Sequence, residues 1–232
     1  LGLRNSRFPS RVSEITPRSE FVRAQLEAGL EEPHIASPDV HVDEAAREVR
    51  MYFHGLMPDG TQLTRVALSR DGVNFEAREP LLGLPYFRVF RHQGWHYALG
   101  MPGIFFRSRD GLGNFERGPA LFATDMRHTA LLVRDQTLFV FWTRVGDAPE
   151  RILCSRIRID GDWMSWRADE PVEVLRPEEP WEGATLPLEP SVRGAALAPV
   201  VAGSDMKMIA DIAVVRITIA ITVVITNRSC RK

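Results

Sequence analysis

Carboxylate, imidazole and guanidinium side chains recur at the starts of predicted strands in this chain. Asp39 follows Pro38 in the segment SPDVHV, and Arg127 and His128 precede the apolar run TALLVR. A carboxylate in such a place can cap a turn by accepting backbone N–H groups, or it can contact a ligand or a metal ion. Because imidazole titrates near neutral pH, His128 can act as an acid or a base, or bind a carboxylate or hydroxyl groups together with Arg127. A structural role in hydrogen bonding is open for both sites.

Three further residues with hydrogen-bonding side chains stand near the same strands. Arg88 lies on a predicted inner strand, where a guanidinium must be paired or hydrated. It can bind an anion, or it can form an ion pair with Asp39 or Glu189. His34 and His54 flank one predicted strand pair, and each can be a hydrogen-bonded structural residue or part of a pocket mouth.

Aromatic residues offer apolar faces for a ring-shaped ligand. Trp95 and Trp142 lie in predicted middle strands, so we expect both in the core. Trp181 lies in the loop PEEPWEGA and is the better platform for stacking. The other candidate ligand contacts at or near strand starts are Tyr86, Glu189 and Arg193.

The elements that carry these residues are predicted from hydrophobic alternation with period two. The first set of strands is SPDVHV (37–42), VRMYFHG (49–55), TQLTRVALS (61–69) and the short NFEAREP. The pattern restarts in YFRVFR (86–91), WHYALGM (95–101), IFFRSRDG and NFERGP, and again in HTALLVR (128–134), TLFVFWTRV (137–145), RILCSRIRI (151–159) and VEVL (172–175). Each set is an antiparallel meander of about four strands and roughly 40 to 50 residues, the size of one β-propeller blade.

One turn of the meander occurs twice with almost the same sequence. SRDGVNFE begins at Ser69 and SRDGLGNFE begins at Ser108. Serine and aspartate side chains can accept hydrogen bonds from nearby backbone N–H groups, and glycine tolerates the positive φ of a tight turn. We expect a structural hairpin at the outer rim of each blade, with Phe75 and Phe115 packed between blades.

Both ends of the chain differ from the repeats. The segment SEFVRAQLEAGLEE (19–32) predicts a short helix with Ser19 as its N-cap and Gly29 near its C-terminus. After Pro199 the chain has no aromatic residue and no turn signal, although RITIAITVVIT alternates like a strand. We therefore predict an N-terminal segment over 1–34, blades over 35–200 and an atypical tail over 201–232, and we hypothesise that the tail is not the natural continuation of the last blade.

Composition limits the classes of partner. The chain has 232 residues, 44% hydrophobic and 25% charged, with a formal net charge of −1. This is typical of a soluble globular protein and predicts neither a nucleic-acid nor a membrane partner. No secretory signal is visible, so a cytoplasmic location is expected. Cys154 and Cys230 show no metal-ligand spacing, and Cys154 is predicted to be a small buried residue. We expect no cofactor, with calcium left open, because no phosphate loop, zinc pattern or nucleophile elbow is present.

The segment EPHIASPDVHVDEAAREVRMYFHG resembles the second blade of glycoside hydrolase family 43 and its relatives. These are the five-bladed propeller arabinanases, xylosidases and levansucrase-like enzymes. The resemblance covers roughly residues 30 to 200, and the wider sequence is similar to bacterial members of the superfamily. It implies an all-β fold, a five-bladed β-propeller of the glycosidase type that is incomplete at one or both ends. It also implies a glycoside hydrolase-like protein that binds, and in the catalytic case hydrolyses, a carbohydrate at the axial funnel.

The resemblance assigns roles to particular positions. Family members use three carboxylates in the funnel, two of which flank the glycosidic bond as acid and as base or nucleophile. Asp39 matches a pocket-lining position, but Tyr86 and Arg88 stand where the family has an Asp, and Arg127 and His128 stand where it has the acid Glu. The catalytic candidates are Asp39 and His128. The implied sugar contacts are His34, His54, Tyr86, Arg88, Arg127, Trp181, Glu189 and Arg193.

The replaced carboxylates leave other functions open. One alternative is a carbohydrate-binding propeller without catalysis, and another is a propeller scaffold for protein partners. A sialidase-like enzyme is a third, because SRDG followed by Phe is similar to the aspartate box of that class.

Overall fold

The computed structural model describes residues 2–29 and 31–191. The chain divides into two compact units, Leu1–Phe122 and Ala123–Lys232, and each is described by itself below. Both units are built from β-sheets, so the predicted all-β class is confirmed. The predicted tail over 201–232, its alternating segment and Arg193 lie outside the described residues.

The first unit contains two sheets. The first sheet comprises β1 (Gly2–Arg4), β2 (Ile35–Asp43), β3 (Glu48–Leu56), β4 (Gln62–Ser69) and β5 (Asn74–Ala77), in the order β1-β5-β4-β3-β2. The second comprises β6 (Arg88–His92), β7 (Trp95–Gly100), β8 (Ile104–Ser108) and β9 (Glu116–Ala120), in that order. All sequential neighbours from β2 to β5 and from β6 to β9 pair antiparallel, as the alternation predicted. The exception is β1, which pairs parallel with β5.

A hydrophobic core joins the two sheets of this unit. Tyr52 and Val66 of the first sheet cluster with Phe87, Ala98 and Phe106 on the second. The strands that pack here bury runs of consecutive residues, so both of their faces are covered. The contact fixes the edge strand β2 beside β6, which is where the candidate site lies.

The N-terminal segment covers another part of the first sheet. Phe8 meets Phe53 edge to face, with ring centroids 5.8 Å apart. The predicted helix is confirmed as α1 (Glu20–Glu27), and Ser19 caps it by accepting a hydrogen bond from the backbone N–H of Val22. Phe75 packs in the cluster of Phe8 and Phe53, so its partners differ from the neighbouring blade that we expected.

The repeated turn forms as the sequence predicted. Oδ1 of Asp71 accepts the backbone N–H groups of Val73 and Asn74, at 2.9 and 2.7 Å. Oδ1 of Asp110 accepts those of Leu112 and Gly113 in the same way. The second turn also lies against the first sheet, because Tyr52 donates a hydrogen bond to the Gly111 carbonyl at 3.0 Å. This turn therefore fastens one sheet to the other, a contact that the expected outer-rim position did not include.

The second unit contains one described sheet. Its strands are β10 (Met126–Arg134), β11 (Thr137–Arg144), β12 (Ile152–Arg158) and β13 (Val172–Leu175), in sequence order. Trp142 is buried and donates from Nε1 to Ser155 Oγ at 3.2 Å, and Cys154 is buried, both as expected.

Trp95 departs from the prediction of a core residue. It is half-buried at the start of β7 in the first unit, with the guanidinium carbons of Arg107 and Arg109 lying 4.1 and 3.5 Å from its ring centroid. The sequence analysis correctly predicted a strand that begins at Trp95, but alternation did not show that two cations stack on the ring at this end of the strand.

Candidate functional site

A carboxylate connects the edge strands β2 and β6 of the first unit. Oδ2 of Asp39 accepts the backbone N–H of Val89 at 2.7 Å and forms a hydrogen bond with Nε2 of His41 at 2.8 Å. The Asp39 side chain keeps 19% of its surface exposed. Asp39 thus accepts a backbone N–H group, as expected for a turn cap. The N–H group belongs to the neighbouring sheet, however, and not to a turn next to Asp39.

The backbone on both sides of this junction is unusual. Ser37 has a φ of +52° within an irregularity of β2 between Ala36 and Asp39, and Tyr86 has a φ of +61° just before β6. Non-glycine residues in this region are uncommon and their strain often lies at functional sites. Arg88 holds the two segments together, because its Nη1 donates to the carbonyls of Ser37 and Phe87 at 3.2 and 3.1 Å.

His54 is the most unusual side chain of the group. Its ring is 1% exposed, and neither nitrogen has a hydrogen-bond partner among the described residues. Burial, with smaller contributions from the nearby His34 and Arg88, lowers its pKa from 6.5 to about 3, so the imidazole is neutral. Such a ring offers one N–H donor and one acceptor. The expectation of a hydrogen-bonded structural histidine is therefore wrong for His54.

Two aromatic rings surround this imidazole. The Tyr86 ring lies tilted against it with centroids 4.3 Å apart, and the His34 ring meets it edge to face at 5.8 Å. His34 is itself oriented by its Nδ1, which contacts the Glu32 carbonyl at 2.7 Å and a Glu31 carboxylate oxygen at 3.4 Å. Because both Nδ1 contacts are to acceptors, the proton resides on Nδ1 and Nε2 is the acceptor in neutral His34.

The guanidinium of Arg88 brings a positive charge to the same place. Burial lowers its pKa, and the negative charge of Asp39 acts in the opposite direction. Arg88 stays protonated, as arginines do in proteins. Its positive charge, which Asp39 partly compensates, therefore lies beside the neutral imidazole of His54. The structure thus brings together five of the predicted site residues: His34, Asp39, His54, Tyr86 and Arg88.

The second unit has its own candidate pair on β10. His128 has a φ of +40°, and the register of β10 against β11 shifts between Arg127 and Thr129. Nη2 of Arg127 lies 2.6 Å from Nε2 of His128, and its Nε lies 3.8 Å from a Glu150 carboxylate oxygen. Because a guanidinium can only donate, the His128 Nε2 is the acceptor of a neutral ring.

The other predicted contacts lie elsewhere in the second unit. Trp181 is 62% exposed in a short helical turn, Pro180–Glu182, where Glu179 and Glu182 cap the turn. Glu189 is exposed. The sequence analysis missed Ser37 and His41, which hold Arg88 and Asp39. One signal was available, because His41 lies two residues from Asp39 on the same face of a strand.

The described residues show neither a metal-binding cluster nor a membrane-spanning helix. Among residues 2–29 and 31–191, no group of three or more His, Cys, Asp or Glu side chains is arranged to hold a metal ion. Within the same ranges, no helix is long and apolar enough to cross a membrane.

Comparison with known proteins gives one curated relative. The chain is 37% identical over 185 residues to uncharacterized protein R118 of Acanthamoeba polyphaga mimivirus, a match that covers 72% of this chain and 52% of that protein. This chain therefore spans about half the length of that relative. The sequence resemblance was to bacterial proteins, whereas this relative is viral. No protein-family model matches the chain.

Solved structures with a similar course of the chain are glycosidases. A thermostable family-43 glycoside hydrolase aligns with a TM-score of 0.49 and 16% identity over 66% of this chain and 56% of that one. An exo-β-1,3-galactanase from Clostridium thermocellum gives 0.45 and 16% over 61% and 36%, and an α-L-arabinofuranosidase from Lactobacillus brevis gives 0.44 and 13% over 63% and 57%. The first of these proteins is named for the family that the sequence resembles. At TM-scores below 0.5 they define neither an activity nor a substrate for this chain.

Proposed function

We propose that this chain carries blades of a five-bladed β-propeller of the glycosidase type, and that it binds a carbohydrate where β2, β3 and β6 meet. The observation that carries the proposal is the buried neutral His54 with two unpartnered nitrogens beside Tyr86. A buried polar group without a partner costs roughly 1 to 3 kcal/mol, and it calls for an explanation in a folded protein. Binding of a ligand that both donates and accepts hydrogen bonds explains it.

A sugar fits the chemistry of these side chains. Its hydroxyl groups donate and accept, which matches the neutral imidazole of His54 and the neighbouring ring of His34. Its ring carbons are apolar, which matches the Tyr86 face, and Arg88 supplies further donors from a rigid guanidinium. The strained backbone at Ser37 and Tyr86 holds these groups in place before a ligand arrives.

Asp39 is proposed as a positioning residue in this scheme. Its Oδ2 is engaged by Val89 and His41, so the carboxylate keeps β2 and β6 in register with each other. For the second unit we propose that Arg127 and His128 contact a sugar, and that Trp181 and Glu189 are exposed contacts of the same ligand class. Carbohydrate binding without hydrolysis is therefore the leading function, and catalysis by Asp39 or His128 is the alternative that an activity assay decides.

The test is binding of neutral mono- and oligosaccharides to the purified chain, measured by thermal shift and by calorimetry. A sugar that binds only the folded state at about 100 times its Kd stabilises it by roughly 2.7 kcal/mol. We expect His54→Leu, Tyr86→Ala and Arg88→Gln to weaken binding at least tenfold. The control is Arg117→Gln, which removes an exposed arginine on β9 of the same unit.

The outcomes separate the candidate functions. Sugar binding that His54→Leu abolishes and Arg117→Gln retains supports the site. A well-folded protein that binds none of the sugars, or a His54→Leu variant that binds them unchanged, contradicts it. Product formation from an aryl glycoside that Asp39→Asn or His128→Ala abolishes would move the function from binding to hydrolysis.

A further inference from the structure

A polar cavity lies between the two sheets of the first unit, apart from the proposed carbohydrate site. Its volume is about 70 Å³. The polar residues that line it come from β2, β3, β6 and β7, and they are His41, Asp43, Arg50, Tyr52, Arg91 and His96. We propose that this cavity is a binding site for a small inorganic anion, with Arg50, Arg91 and His96 as its ligands.

Two guanidiniums lie beside Asp43, the carboxylate that lines the cavity. Oδ2 of Asp43 lies 3.4 Å from Nη2 of Arg50 and 3.5 Å from Nη1 of Arg91, distances longer than ordinary hydrogen bonds between charged groups. Its Oδ1 accepts the backbone N–H of Ala46 at 3.1 Å. One carboxylate thus lies between two guanidiniums and makes its hydrogen bond to the backbone.

Arg50 has an unused donor at this place. Its Nε is buried and makes no hydrogen bond with the described residues, although a Glu48 carboxylate oxygen lies 3.3 Å away. Its Nη1 donates to the Asp110 carbonyl, which fixes the guanidinium against the second turn. The Arg91 side chain is 65% exposed, so it reaches the cavity from the solvent side.

His96 completes the donor set when it is protonated. Its Nδ1 lies 3.3 Å from the Arg109 carbonyl, so Nδ1 carries the proton and Nε2 is the acceptor in the neutral ring. Burial lowers its pKa, and Arg91 and Arg50 lower it further, while the Arg109 carbonyl and Asp110 oppose them. The other titratable groups that line the cavity are Asp43, His41 and Tyr52. Glu48 lies beside Arg50, and Asp39 lies beside His41. A bound anion offsets the repulsion between both arginines and a protonated His96. It therefore favours protonation of Nε2, which becomes a third N–H donor to the anion.

The size of the cavity selects the class of ligand. A cavity needs roughly 10 to 15 Å³ to hold one water molecule, so a volume of about 70 Å³ has room for chloride or a single tetrahedral oxyanion. The charged lining of the cavity makes it separate in chemistry from the proposed carbohydrate site.

The binding of the anion and of a proton to His96 must be reciprocal. As the pH falls, a larger fraction of His96 is protonated in the complex, so anion affinity rises by up to about tenfold per pH unit. Sulfate and chloride keep their own charge over this range, which makes them suitable probes.

The experiment measures Tm shifts and calorimetric Kd values for sulfate and for chloride with the full chain at about pH 5.5 and about pH 8. Ionic strength is held constant with the salt of a bulky organic anion. We expect saturable binding that is tighter at the lower pH, at least tenfold weaker binding by Arg91→Gln, and no pH dependence in His96→Gln. Arg117→Gln is the matched control, because Arg117 is exposed on β9 and does not line the cavity.

Two results would overturn the proposal. One is a Tm that rises without saturation and equally in the wild type, Arg91→Gln and Arg117→Gln, which indicates a general salt effect. The other is saturable binding that survives Arg91→Gln unchanged. Because Arg91 is largely exposed, its variant stays folded and its melting curve without added anion verifies this. Neither result depends on whether a sugar binds to the chain.

Discussion

At the scale of single residues, His54 connects stability with function. A histidine that is buried as a neutral base binds its proton less readily in the folded chain than in the unfolded chain. Its pKa falls from 6.5 to about 3. The unfolded state therefore binds more protons between these pH values, and stability rises with pH across that window.

We predict that the wild-type chain loses about 1.4 kcal/mol of unfolding free energy per pH unit through His54 as the pH falls below 6.5 toward 3. Urea unfolding at several pH values measures this, and His54→Leu removes the contribution. The quantity to compare is the difference between the two proteins, since other groups titrate in both. Parallel pH profiles for the two proteins would show that His54 is protonated in the folded state or exposed to water.

The same substitution has a consequence at neutral pH. Leucine has no polar atom to leave unpartnered, so we predict that His54→Leu raises the free energy of unfolding by about 1 to 3 kcal/mol while it abolishes sugar binding. Thermal melts and sugar titrations on the same sample measure both effects. A loss of stability would mean that the imidazole is hydrogen-bonded in solution, which would remove the main support for the binding site.

At the scale of elements, the two copies of the repeated turn offer a matched comparison. Gly72 and Gly111 have φ values of +71° and +72°, but they differ in the space around a Cβ atom. A methyl group on Gly72 would approach only Val49, at 4.0 Å, whereas one on Gly111 would lie 2.7 Å from His96 and 2.9 Å from the Tyr52 hydroxyl. An alanine at either position therefore has the same unfavourable backbone conformation, but only an alanine at Gly111 also has a steric clash.

We predict that Gly72→Ala lowers stability by about 1 to 2 kcal/mol, the cost of a left-handed alanine. Gly111→Ala should lower it by a further 1 to 3 kcal/mol or so, because the ring of His96 and the hydroxyl of Tyr52 must move. Chemical denaturation of the two variants measures both values. Equal losses would show that the second turn is not packed against the first sheet.

The carboxylate of the first turn gives a prediction with a defined pH dependence. Hydrogen bonds from Asn74 and Val73 hold the pKa of Asp71 well below its ordinary value of 3.8. Because its pKa is lower in the folded chain than in the unfolded chain, the Asp71 carboxylate stabilises the fold above pH 3.8. This stabilisation is lost as the pH falls below 3.8. We expect Asp71→Ala to lower the Tm at neutral pH, with a difference from the wild type that shrinks in acid. A difference that stays constant down to the acid range would contradict this account of the turn.

Period-two alternation predicted most strands, because each sheet buries one face and the side chains of a strand alternate. The same pattern could not reveal β1, whose three residues pair parallel with β5 through backbone groups that carry no sequence signal. It also missed the irregularities at Ser37 and His128, where non-glycine residues adopt positive φ values that tertiary contacts impose. Those irregularities orient the candidate site, so its residue types were predictable and its geometry was not.

At the scale of the whole molecule, the first unit has its own cores. The clusters around Phe87, around Phe53 and around Leu56 are formed entirely by residues of the first unit. The proposed anion site and the junction of β2 and β6 also lie within it. Sequence analysis predicted one continuous run of blades over 35–200, and it had no signal for a boundary at residue 122, because the period of the strands is the same on both sides.

We predict that a fragment of residues 1–122 folds cooperatively, since burial of these clusters needs no residue of the second unit. A fragment of residues 1–84 is the matched control, because it retains the first sheet but lacks Phe87, Ala98 and Phe106 of the shared core. Circular dichroism melts and urea titrations should give a cooperative transition for the longer fragment and none for the shorter. The longer fragment should also bind sulfate with the pH dependence of the full chain. If it shows no cooperative transition, the first unit requires the second for stability, and the two units form one folding unit in solution.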